Sequence, residues 1–147
     1  MFFHFVIWTL PIFLMPDYLK KFGFGNQDVS GPPAHFWLNG NLRISAEQQV
    51  NFLRRFYHQD LGISDRSISV VKKLILLEQN EDYALYGKTG GRPVDEHNNV
   101  MWLVGYVEKP GNVYFFAMNF TCREFNRETS GARMEIVRTA LKKLEII

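Results

Sequence analysis

Tyr86-Gly87-Lys88-Thr89-Gly90-Gly91, followed by Trp102-Leu103-Val104-Gly105-Tyr106-Val107-Glu108, is the stretch from which the rest of the chain can be read. Tyr83, Leu85 and Gly87 alternate with Ala84, Tyr86 and Lys88, the period of two that a strand requires. Val100 to Glu108 is rich in β-branched and aromatic residues, a second strand. Lys109-Pro110-Gly111-Asn112 places Pro and Gly at the centre of a turn that leads into a third strand, Val113 to Phe120. These segments predict an antiparallel meander. The end of its first strand carries a cation, a hydroxyl and consecutive glycines, a ledge on which a bulky anion can settle against backbone.

Working outward, Ser130 or Thr129 is placed to cap a last helix carrying Met134, Val137, Leu141 and Leu144 on one face, which should pack on the sheet. Upstream, Ser45-Ala46-Glu47-Gln48 is a capping box, and Val50, Leu53, Tyr57 and Leu61 recur at helical spacing, giving a helix over about 46–59. Ser64 can cap a second helix, in which Ile68, Val71, Leu74 and Ile75 form an apolar stripe while Lys72, Lys73 and Glu78 face out, ended by Asn80-Glu81-Asp82. Residues 23–43 hold four glycines, two prolines and three asparagines around Phe36-Trp37-Leu38, an ordered loop that buries an aromatic cluster. Tyr18 to Phe22 reads as the end of a helix stopped by Gly23.

Composition excludes several classes. With 147 residues, 46% of them hydrophobic, the chain is one domain or part of one. Seventeen basic residues are interspersed with fifteen acidic ones for a net charge of +2, and no basic block points to nucleic acid. The single cysteine, Cys122, excludes an internal disulfide, and His4, His35, His58 and His97 lack zinc-site spacing. Residues 2–15 are apolar but shorter than the ~20 residues of a membrane span, with no cationic start to suggest export.

The strand end has specific company: Phe24-Gly25-Asn26, Phe36-Trp37-Leu38-Asn39-Gly40, Leu42-Arg43-Ile44-Ser45, Leu76-Leu77-Glu78 and Trp102 to Glu108. In that order and spacing they resemble the class D β-lactamases, of the penicillin-recognising serine hydrolase family, and the similar sensor domains of β-lactam-responsive membrane receptors. The resemblance covers residues 17–147, and residues 1–16 are expected to be an apolar segment outside the family. It implies an α/β (α+β) fold, the C-terminal portion of the β-lactamase/transpeptidase-like architecture: two helices, a three-stranded antiparallel meander and a C-terminal helix on the sheet. It also implies that Lys88, Thr89 and Gly90 hold a substrate carboxylate, that Arg133 is a second clamp, and that the Gly91 backbone N–H is an oxyanion-hole donor. Trp37 matches a tryptophan whose indole braces the family's carboxylated general-base lysine. Phe24 and Asn26 match the ends of a Tyr-Gly-Asn motif, with the phenolic hydroxyl lost, and Gly91 is smaller than the family's usual residue. No cofactor or metal is implied.

The resemblance further calls for a Ser-x-x-Lys nucleophile turn well upstream of Phe24, and none of the 23 residues before Phe24 is serine. Ser69-Val70-Val71-Lys72 fits the pattern formally but falls after Phe24-Gly25-Asn26, on a packing helix. The expectation is a class D β-lactamase family member truncated before its nucleophile by an internal start or frameshift, and inactive alone. The alternative is a non-hydrolytic module that binds or senses β-lactams or peptidoglycan stem peptides. Without a strand from the N-terminal half, the apolar strand Val113 to Phe120 is expected to have an open edge, to self-associate or to be paired by another chain, with residues 2–15 able to cover part of it. The family works outside the cytoplasmic membrane, which this N-terminus does not address.

Overall fold

The computed structural model describes residues 12–32, 35–38 and 40–147. Most of the apolar segment 2–15 therefore lies outside the described residues. After a 3₁₀ turn at Ile12–Leu14, helix α1 spans Met15–Phe22 and ends on Gly23, whose φ of 59° is the left-handed geometry glycine tolerates. Helix α2 spans Ala46–Tyr57 with the expected reciprocal box between Ser45 and Gln48, and α3 spans Asp65–Ile75 behind the Ser64 cap. Strands β1 (Leu76–Gln79), β2 (Ala84–Pro93), β3 (Asn99–Lys109) and β4 (Asn112–Cys122) precede helix α4, Arg127–Lys143.

The sheet is antiparallel in the order β1-β2-β3-β4, so it holds four strands where the sequence predicted three. Leu76 to Gln79 reads as a continuation of α3 because Leu, Glu and Gln are good helix formers. Leu76 instead turns extended, and the segment pairs with Ala84 to Tyr86 through a bulge. Leu77 packs over Gly87, where an added Cβ would come within 2.8 Å of its Cδ1. Long-range pairing outweighs local propensity here.

Two helices cover opposite faces of the sheet. Leu85, Leu103 and Val107 point to one side and form a buried cluster with Val137 and Leu141 of α4. The predicted stripe on α4 stops there, since Leu144 is 68% exposed. The helix begins earlier than expected: Asn126, not Ser130 or Thr129, is the cap, with Asn126 and Thr129 bonding each other's backbone N–H reciprocally. On the other face Tyr57 of α2 meets Tyr106 and Phe115 edge-on, and Tyr86 stacks on Tyr106 at 4.7 Å between ring centres. Burial, followed by the Glu108 carboxylate, pushes the Tyr86 pKa up to about 12. Of the five largest fully buried side chains, four belong to β3, which makes it the central strand.

A smaller core of Phe56, Leu61 and Ile68, with Phe22 and Phe52 against it, ties α1, α2 and α3 together. Ile68 is the buried member of the α3 stripe, whereas Val71 and Leu74 are exposed. Lys72 does not face out as predicted: its Nζ donates to Glu108 at 2.8 Å and lies 4.3 Å over the Tyr57 ring. Glu78 is likewise engaged, accepting from the Tyr83 hydroxyl and from Arg138 of α4.

Candidate functional site

Alternation along β2 puts Tyr86, Lys88, Gly90 and Arg92 on the α2 face of the sheet, opposite Tyr106, Val104, Trp102 and Val100 of β3. This face is the floor of a groove of about 480 Å³, a size that accepts a small bicyclic ligand. The loop before α2 forms its wall. Lys88, Thr89, Gly90 and Gly91 line the groove together with Phe24 and Trp37, so the structure assembles most of the residues predicted for the site. Among the described residues β1 pairs with β2 only as far as Tyr86. From Thr89 to Gly91 the strand therefore pairs, among the described residues, with β3 alone.

Trp37 is held edge-on to the buried Phe36, with ring centres 4.9 Å apart, and Phe24 stands edge-on to Phe52 of α2 at 5.0 Å. Asn26 does not line the groove. Its Oδ1 accepts from the Arg43 backbone N–H at 2.9 Å, its Nδ2 donates to the Asn41 carbonyl at 2.8 Å, and its own N–H donates to the Arg43 carbonyl at 2.9 Å. Asn26 thus staples the two ends of the wall, and Gly25 lies tight beneath, where a Cβ would sit 2.1 Å from the Arg43 carbonyl oxygen.

Arg133 is the buried charged side chain of the described residues. It sits behind the strand end rather than in the groove, donating Nη1 to the Gly90 carbonyl at 2.9 Å and Nε to the Ser130 carbonyl at 3.1 Å. Burial lowers its pKa, and burial, then the Arg133 charge, lowers that of Lys88. Two cations thus crowd one strand end, which favours an anion there. A Cβ at Gly91 would come within 2.7 Å of the ring of Phe125, an exposed side chain that can move aside. Among the described residues no cluster of His, Cys, Asp and Glu could hold a metal ion. No helix among them is long and apolar enough to cross a membrane.

Among the groove residues not singled out from the sequence as site residues are Arg43, Arg92 and Trp102. Arg92 had a signal, because it follows Lys88 by four residues on one strand and must share its face. Arg43 sits beside the motif residues of the loop, where no periodicity tells a groove-facing side chain from a solvated one.

The fold and this groove define a penicillin-binding domain. Residues 10–142 match the penicillin binding protein transpeptidase domain, and the chain belongs to that family. Its relatives include the class D β-lactamase OXA-48 of Klebsiella pneumoniae, 42% identical over 133 residues, 90% of this chain and 49% of the relative. The regulatory protein BlaR1 of Bacillus licheniformis is 36% identical over 126 residues, 86% of this chain and 20% of that one. Among solved structures, a class D β-lactamase from Nostoc superposes with a TM-score of 0.82 at 38% identity, over 90% of this chain and 55% of the other. The C-terminal domain of the B. licheniformis BlaR penicillin receptor gives 0.83 at 35% identity, over 90% and 53%. The chain thus spans about half the length of the class D β-lactamases it matches.

Proposed function

We propose that this chain binds the carboxylate of a β-lactam, or of a peptidoglycan stem peptide, along Lys88, Thr89 and Gly90, and that it does so without itself being acylated. The observation that carries the reading is the assembly of Lys88, Thr89 and Gly90 with Trp37 and Phe24 in one groove, at a strand end that no strand of the described residues covers on its outer side. Lys88 supplies the charge and Thr89 the hydroxyl. Arg133 adds a second positive charge from behind Gly90 and fixes the strand end on which both stand. The Gly91 N–H is the oxyanion donor in this reading. Acylation needs a serine whose proton is taken by a lysine one turn on. The chain's Ser-x-x-Lys, Ser69 to Lys72, cannot do this, because the Lys72 ammonium is engaged by Glu108 and the Tyr57 ring. Incubation with labelled penicillin followed by intact mass tests the reading: saturable binding with unchanged mass supports it, and a covalent adduct refutes it.

We propose further that β4 is paired by a second copy of this chain. Among the described residues it ends the sheet, and its eleven residues carry no charged side chain. Beside it an apolar groove of about 500 Å³ runs between β4 and α4, bordered by Ile136 and Leu144. Natural proteins rarely leave such an edge bare.

A further inference from the structure

Beyond Gly90 the groove sets two cations among apolar residues. Arg92 of β2 and Arg43 of the wall both line it, and none of its lining residues among those described is acidic. Both guanidiniums bond backbone carbonyls of the wall. Arg92 Nη1 donates to the Leu38 carbonyl at 3.1 Å, and Arg43 Nη1 donates to the Gly40 carbonyl at 2.7 Å and the Leu42 carbonyl at 2.9 Å. Both are thereby held in place by backbone, with the rest of each five-donor fork left over. Among the described residues neither forms an ion pair. Asp28 feels the Arg43 charge only weakly, being held chiefly by Ser30, whose hydroxyl and N–H both donate to it. Burial, then the Arg43 charge, lowers the pKa of Arg92, so the two cations repel each other across the groove.

A pinned, mutually repelling pair of guanidiniums is a poor way to build a wall and a good way to meet an anion, whose planar oxygens match the two forks. We infer that Arg43 and Arg92 form a second anion subsite, so that the groove takes a dicarboxylate ligand, one carboxylate at Lys88 and Thr89 and the other between the two arginines. This rests on the carboxylate-binding reading of Lys88. Four residues of extended strand put the Cα atoms of Lys88 and Arg92 roughly 13 Å apart on one face, so the two anionic groups belong to opposite ends of one small molecule.

Benzylpenicillin and carbenicillin, which differ by a carboxylate on the side chain, test this by calorimetric titration of the 147-residue chain. Carbenicillin is expected to bind about tenfold more tightly at low ionic strength, with an advantage that shrinks as salt is added. Arg92→Gln keeps an N–H for the Leu38 carbonyl but drops the charge, and should weaken carbenicillin at least about fivefold more than benzylpenicillin. Arg43→Gln should do the same. Should either variant fold poorly, the ¹⁵Nε resonances of Arg43 and Arg92 in the unaltered chain serve instead, and should move with carbenicillin and not with benzylpenicillin. Equal affinity for the two penicillins, or resonances that ignore the extra carboxylate, overturns the subsite and leaves the proposed function standing. Failure of both penicillins to bind overturns the two together.

Discussion

Arg133 and Gly90 are joined across the back of the site: the guanidinium Nη1 of one donates to the carbonyl of the other at 2.9 Å. A buried arginine bonded to backbone carbonyls is costly to disturb, since each lost bond strands a polar group. Arg133→Ala should therefore destabilise the chain by about 1.5–3 kcal/mol, read from urea unfolding, as well as weakening penicillin binding. Arg133→Lys keeps the charge but not the fork, and should recover stability only in part. A variant as stable as the parent that still loses binding would show that Arg133 meets the ligand directly instead of holding the strand.

The Glu78 cluster makes stability depend on acid. The Tyr83 hydroxyl, followed by Arg138, holds the Glu78 carboxyl below its ordinary 4.5. Its contribution is thus present above that unfolded value and is lost as pH falls through the depressed folded value. Urea midpoints measured from pH 6 down to pH 3 should fall more steeply for the parent than for Glu78→Gln. Parallel acid limbs would show that the cluster contributes nothing.

Two glycines give opposite predictions. At Gly105 a Cβ would sit 2.0 Å from the Tyr86 carbonyl oxygen and 2.9 Å from the Gly87 Cα, backbone that cannot give way. Gly105→Ala should cost at least about 2–3 kcal/mol. Gly131 lies inside α4 with nothing within 4 Å of the added atom. Gly131→Ala should stabilise by about 0.5–1 kcal/mol, because alanine is the better helix former. Equal effects in thermal unfolding would contradict the packing described for β3.

Pairing at β4 predicts a concentration-dependent dimer in light scattering. Asn119, exposed on that strand, is a safe place to put a charge. Asn119→Lys should shift the chain toward monomer, because a lysine on an edge strand opposes its pairing with another strand. A monomer at all concentrations would end the proposal.

The parts of this molecule that local chemistry dictates were legible in the sequence. Ser45 with Gln48, Gly23 at the end of α1, and Pro110-Gly111 between β3 and β4 each act over a few residues, and each stands where its pattern put it. The Lys88-Thr89-Gly90 edge was legible as a motif, from its residue types and their company along the chain, and all three line one groove. What sequence did not give depends on partners far along the chain. Leu76 to Gln79 becomes a strand only because Ala84 to Tyr86 pairs with it. Arg133 is buried only because the Gly90 carbonyl receives it, and Lys72 leaves solvent only for Glu108 and Tyr57. Asn126 displaced Ser130 as the cap because Thr129 could bond back to it, a reciprocity that a single residue type does not announce.

The central claim is that Lys88 holds a penicillin carboxylate reversibly, and an equilibrium titration of benzylpenicillin against the unaltered chain and Lys88→Gln tests it most directly. The fluorescence of Trp37 and Trp102, both in the groove, reports occupancy. Saturable, dilution-reversible binding that weakens about 10- to 100-fold in the variant is the predicted result, the loss of a charge-assisted bond. An affinity untouched by the substitution, or a signal that dilution does not reverse, would contradict it.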